Sequence, residues 1–137
     1  MDVAAQMLEA HPQPRGVDHA TLAIAIDALG DAVSAATSCA DACLAESNVA
    51  DMVDCVRACQ DAADVAGALA RILARTGPTP VGTRSLVGAA AKLLGEAASV
   101  ADSHGQHDKH CRLSAEALTR AQQALASLEA AVAAAEA

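Results

Sequence analysis

The residues with most chemistry to offer stand in two stretches of a 137-residue chain. One, SHGQHDKHC from Ser103 to Cys111, holds His104, His107, His110 and Cys111. The other holds two cysteine pairs with i, i+4 spacing, Cys39/Cys43 and Cys55/Cys59, on either side of a short turn. Residues four apart share one face of a helix, so each pair offers two sulfurs to one side. Thiolates with some imidazole form a soft donor set, which selects Cu(I) or Zn(II) over hard cations. Closed zinc sites more often draw on CxxC knuckles in loops, so pairs on helix faces suit Cu(I), which is content with two or three sulfurs, better than tetrahedral zinc.

A simpler reading stands beside this one. Free cysteine is among the most buried residue types, and one CxxxC pair in an Ala-rich bundle packs as core. Two pairs facing each other across one turn, with a fifth thiol on another helix, argue for ligation. His107 and His110 fall in a polar turn, where solvated histidines are common. His104 takes a core-seam position, and a buried imidazole needs partners for its nitrogens; Cys39, Cys59 and Ser114 are its expected neighbours. Cys111 falls three residues after a capping Asp108, where the helix dipole should lower its pKa. Met52 adds a thioether near the same mouth.

The elements that must position these groups read as helices throughout. Val3 to Ala10 predicts a short helix, stopped by His11-Pro12-Gln13-Pro14. Asp18 can cap a long helix with the apolar seam Leu22, Ile26, Leu29, Val33, Ala36, Ala40, Cys43. Asn48, with Asp51 three residues on, reads as the start of a second, with the seam Cys55, Cys59, Ala62, Ala66, Leu69, Leu73, ended by Gly77-Pro78-Thr79-Pro80. Thr79 before Pro80 can start a third, with the seam Leu86, Ala90, Leu93, Ala97, Val100, His104, ended by Gly105. Asp108 caps a fourth, with the seam Cys111, Ser114, Leu118, Ala121, Leu125, Leu128, Val132. Each pattern runs roughly 25 to 30 residues, about 40 Å at the helical rise.

Four similar helices joined by short turns predict an all-α fold, an antiparallel up-down-up-down four-helix bundle preceded by a short N-terminal helix. Residues 1–17 form the arm and 18–137 the bundle. In that topology both ligand-bearing turns lie at one end. Cys39, Cys43, Cys55, Cys59, Cys111, His104, His107 and His110 then share one mouth, above a seam of Ala, Leu and Val.

Composition narrows the function classes. The chain has no Phe, Tyr or Trp, hence no stacking platform for bases, and a net charge of −8 with acids spread along its length. That argues against nucleic acid or an anionic membrane as partner. The N-terminus has no basic stretch before an apolar one, and no uncharged run of about 18 apolar residues appears, so neither signal nor span is expected. A cytoplasmic protein with reduced thiols follows, and the odd count of five cysteines agrees. No nucleophile–base–orienter set, phosphate-cradling glycine loop or paired buried carboxylates is present, which points to binding rather than catalysis.

The stretches CADACLAE (Cys39–Glu46), DMVDCVRACQDAADV (Asp51–Val65) and HDKHCRLSAEAL (His107–Leu118) resemble the cysteine-rich four-helix-bundle copper storage proteins of bacteria. The resemblance covers most of the chain from the first long helix onward. It implies the bundle fold, Cu(I) held by CxxxC pairs, histidines and methionines at the mouth where copper is admitted, and a tetramer. Where that family's pattern continues with cysteines, this chain has Ala62, Ala66, Ser114, Leu118, Ala121 and Leu125, so the resemblance implies a small copper site. The expectation is a protein holding a few Cu(I) ions through Cys43, Cys55, Cys59 and Cys111, with Cys39 close behind and His104 and His107 at the opening. The alternatives are a Zn(II)-binding bundle, or a helical assembly module that binds no metal and buries Ala-rich faces such as Ala130 to Ala135 against sister subunits.

Overall fold

The computed structural model describes residues 2–13, 16–75 and 81–136. Five helices follow in order: α1 (Val3–Ala10), α2 (His19–Leu44), α3 (Val53–Ala74), α4 (Val81–Asp102) and α5 (Lys109–Glu136). No strand occurs among the described residues. The last four form the expected antiparallel bundle. α2 packs on α3 and α5, and α4 packs on the same two, so the four close a ring around one core. α1 lies against α2, burying Leu8.

Local chemistry explains most of the boundaries. The Asp2 carboxylate accepts the Ala5 N–H at 2.8 Å and starts α1. The Asp18 carboxylate accepts both the N–H and the hydroxyl of Thr21 at 3.1 Å and starts α2 as expected. The next start is different. Asn48 makes no side-chain cap bond, and a 3₁₀ turn, Val49–Met52, precedes α3. This tight turn buries Met52 fully and leads into α3 two residues before Cys55. The expected stop at Gly77-Pro78-Thr79-Pro80, and the start at Thr79, lie outside the described residues.

α4 ends at Asp102, three residues short of Gly105. Its last turn is closed by the Ser103 hydroxyl donating to the Val100 carbonyl at 2.6 Å. Gly105 serves the turn instead. It is buried, and a Cβ there would lie 3.2 Å from the Asp102 carbonyl oxygen and 3.4 Å from Arg112. A side chain at that point would make the turn and the start of α5 give by a few tenths of an ångström.

The core face of α4 is also turned from the expected seam. It runs Val87, Ala90, Leu94, Ala97, Ala98, Ala101; Leu86 is exposed, and Leu93 and Val100 are half-buried. Adjacent apolar pairs, Leu86-Val87 and Leu93-Leu94, left two registers open by periodicity. The face that the structure turns inward carries its two glycines toward α5. Gly88 lies under the Glu129 carboxylate and Gly95 under the Gln122 amide, where a Cβ would collide. Ala-lined faces permit this spacing, because small residues let helix axes draw together.

α2 is long and apolar enough, by length and composition, to cross a membrane. In the bundle its apolar face, Leu22, Leu29, Ala36 and Cys43 among others, is core packed against α3 and α5. Two substitutions probe the fold. Leu118→Ala, at a fully buried position, should cost about 2–5 kcal/mol. Asp18→Ala should cost about 1 kcal/mol through the lost cap. Denaturant unfolding followed by circular dichroism reads both.

Candidate metal centre

Three helices build the site. The last two turns of α2 carry Cys39 and Cys43, the first turns of α3 carry Cys55 and Cys59, and the first turn of α5 carries His110 and Cys111. α4 contributes no cysteine. All five thiols are free and buried, with Cys39 1% exposed and the others fully covered.

Cys111 is the hub. Its sulfur lies 3.8 Å from those of Cys39 and Cys43 and 4.0 Å from that of Cys55. Cys39 and Cys43 are 3.9 Å apart. The donor atoms of Cys39, Cys43, Cys55 and Cys111 all lie within 4.8 Å of one another, an arrangement with room for soft ions held between sulfurs. Cys59 lies one helical turn deeper. Its sulfur is 3.9 Å from that of Cys55 and 3.6 Å from the Ser114 hydroxyl. Ser114 is the single buried polar side chain among the described residues, and it forms the floor of the site. Beneath it the core continues with Ala62, Ala66, Leu118, Ala121 and Leu125.

The histidines separate into three situations. His110 joins the thiols: its Nδ1 is 3.4 Å from the Cys111 sulfur and 3.5 Å from that of Cys39. Its Nε2 meets a Glu46 carboxylate oxygen at 2.9 Å. His104 does not take the seam position expected of it beside Cys39, Cys59 and Ser114. Because α4 stops at Asp102, His104 falls in the turn, half-buried at the rim, with its Nε2 3.1 Å from an Asp54 oxygen. His107 is exposed, and its ring makes no hydrogen bond among the described residues. Thus His110 comes to the cluster, while His104 and His107 stay outside it.

Two carboxylates at this end, Glu46 and Asp54, were not singled out by sequence spacing, and Asp108 was read only as a helix cap. Glu46 and Asp54 each hold a histidine, and Glu46, Asp108 and the His110 ring bring ligand-type atoms within 4.8 Å of each other. Glu46 stands three residues after Cys43, one helical step round the same side. That spacing was the available signal. Asp54 also accepts the Cys55 N–H at 2.8 Å, which ties the rim to the start of α3.

Burial governs the thiol chemistry. Cys111 is pushed up to about 11, first by its burial and next by the neighbouring Cys43. The expectation that the helix start would lower it fails because desolvation of the charged form is the larger effect. The neighbouring thiols of Cys39 and Cys59 push Cys55 up, while the thiols of Cys39 and Cys55 pull Cys59 down. Thiols this close titrate as a coupled group rather than one by one. A soft ion bound here must displace their protons.

The comparisons with known proteins fall on this same frame. The sequence model of the copper storage protein family matches residues 18–130. The copper storage protein Ccsp from Streptomyces lividans, in a structure loaded with 10 copper equivalents, superposes with a TM-score of 0.91 at 34% identity, over 94% of this chain and 99% of that one. A five-copper structure described as that organism's cytosolic copper storage protein gives 0.78 at 35% identity, over 81% and 93%. A histidine-to-alanine variant of Ccsp gives 0.82 at 36%, over 85% and 98%. No curated protein matches in sequence.

The covered thiols make a direct prediction. Under reducing conditions, an alkylating reagent should modify all five cysteines quickly in denaturant and at least about tenfold more slowly in the native protein. Mass spectrometry against time measures the two rates.

Proposed function

The chain belongs to the copper storage protein family, and on that premise we propose that it sequesters a few Cu(I) ions at one end of the bundle. Cys39, Cys43, Cys55 and Cys111 are the primary thiolates, Cys59 is the deepest, and His110 supplies Nδ1 beside them. His104 and His107 at the rim serve the admission of ions rather than their storage. The observation that carries this reading is the mutual approach of four buried sulfurs within 4.8 Å. With soft-metal–sulfur bonds of about 2.3 Å, sulfurs 3.8 to 4.0 Å apart subtend roughly 110–120° at a shared ion. That suits ions bridged by two or three thiolates. Each such ion replaces thiol protons with a soft cation, which the buried site otherwise could not charge.

Capacity follows from where the donors stop. Below Cys59 and Ser114 the core face offers only alkyl groups, so we expect about two to five ions per chain, near one per one or two thiols. The role is binding without turnover. The cytosolic compartment of the Streptomyces protein fits a site that needs reduced thiols. The bundle of residues 18–137 is the binding unit, and the exposed alanines Ala130, Ala133, Ala134 and Ala135 of α5 support burial against sister subunits.

One observation favours a second occupant. Tetrahedral zinc with four thiolates wants sulfurs about 3.8 Å apart, close to the spacings around Cys111. Helix-face pairs therefore do not disfavour zinc once three helices converge. Competition between buffered Zn(II) and buffered Cu(I) decides which ion holds the site.

The primary test is an anaerobic Cu(I) titration of reduced protein against a coloured chelator. Wild type should retain about two to five ions. Cys55→Ala combined with Cys59→Ala should lose most of them while helix content is kept. Ser114→Cys, placing a sixth thiol beside Cys59, should raise the count by about one. No uptake by wild type, or wild-type stoichiometry in the double variant, overturns the reading.

A further inference from the structure

Glu46 stands outside the thiol set, yet its carboxylate governs the one ring that touches that set. We infer that Glu46 is a positioning residue for copper: it fixes the His110 ring so that Nδ1 presents its lone pair to the sulfurs of Cys39 and Cys111. The inference rests on the copper reading above and adds a residue to it.

The geometry is two-sided. The His110 ring spans the gap between the start of α5 and the end of α2, with Nδ1 at 3.4 and 3.5 Å from two sulfurs and Nε2 at 2.9 Å from Glu46. An ionised carboxylate only accepts hydrogen bonds, so the proton of a neutral ring must sit on Nε2 to satisfy this contact. Nδ1 is then left as an acceptor, which is the form a metal requires. Glu46 is itself well anchored, since its backbone N–H donates to the Cys43 carbonyl at 3.2 Å. The carboxylate and the thiol pair thus move with the same end of α2. Without this anchor the ring can turn over about its last side-chain torsion, which is broad and roughly two-fold. Carboxylates that hold a ligating histidine through its other nitrogen set both its orientation and its basicity.

The same end of the bundle contains an internal control. Asp51, in the 3₁₀ turn Val49–Met52, carries an exposed carboxylate that meets no histidine ring among the described residues. Losing the Asp51 charge should therefore leave copper binding unchanged. Losing that of Glu46 should not.

Two measurements test the proposal, the first of them on metal-free protein. Nitrogen-15 NMR of the histidine rings should show His110 with its proton on Nε2 in wild type and a mixture of tautomers in Glu46→Gln, whose amide can donate to Nε2. An unchanged His110 signature in that variant overturns the proposal whether or not the protein takes up copper. The second is Cu(I) affinity by chelator competition. Glu46→Gln and His110→Ala should each weaken the tightest binding by about 10- to 100-fold, and Asp51→Asn should not. Glu46→Gln added to His110→Ala should have no further effect, because the carboxylate acts only through the ring. Additive losses, or equal losses from Asp51→Asn and Glu46→Gln, would mean general charge at the mouth rather than positioning. A wild type that binds no Cu(I) sinks the copper reading itself and leaves the ring measurement standing as a separate result.

Discussion

The contact on which this structure depends is the meeting of the Cys111 sulfur with those of Cys39, Cys43 and Cys55, at 3.8 to 4.0 Å. It requires α2, α3 and α5 to end or begin at one height and to approach closely there. Alanine makes that approach possible. Ala36 and Ala40 on α2, Ala62 and Ala66 on α3, and Ala115 and Ala121 on α5 are all buried below or beside the sulfurs. Bulky side chains in those places would hold the helix axes apart and open the cluster. The dry leucine layers farther down, with Leu29, Leu69, Leu94 and Leu125 buried, supply apolar burial that the sulfur end lacks. One end of the molecule carries stability, and the other carries the ligands.

Burial and charge act against each other at that end. Covering five thiols keeps them from water and pushes Cys111 up to about 11. A cation that binds sulfur relieves the cost of charging them. Around the covered sulfurs stands a polar rim of Glu46, Asp54, Asp108, His104 and His110. Both histidine–carboxylate pairs link the α4–α5 side of the mouth to the α2–α3 side, above the buried sulfurs.

Much of the site could be read from spacing because helical periodicity is rigid. Thiols four apart must share a face, and two short turns in an up-down bundle must share an end. Those rules brought all five cysteines together, and they set α1 at Val3–Ala10 and the start of α2 at Asp18. The histidines were less legible. His104 fitted a seam only if α4 continued to it, and a tight turn through Gly105 ended the helix first. His110 had no periodic signal, because its value comes from standing next to Cys111 while reaching toward Glu46, 64 positions away in the chain.

The sequence by itself determined the helices, the order of the bundle, the end at which the thiols gather, and the layer at which they stop. Those properties follow from period, turn chemistry and residue type, which are local. Only the tertiary structure decided that Cys111 is the hub, that Cys59 lies deeper with Ser114, that His110 rather than His104 faces the sulfurs, and that α4 turns its glycines to α5. Each depends on helix rotation and on approach within a few ångströms. Such details arise when side chains from different helices compete for the same space, and no pattern along one helix records that competition.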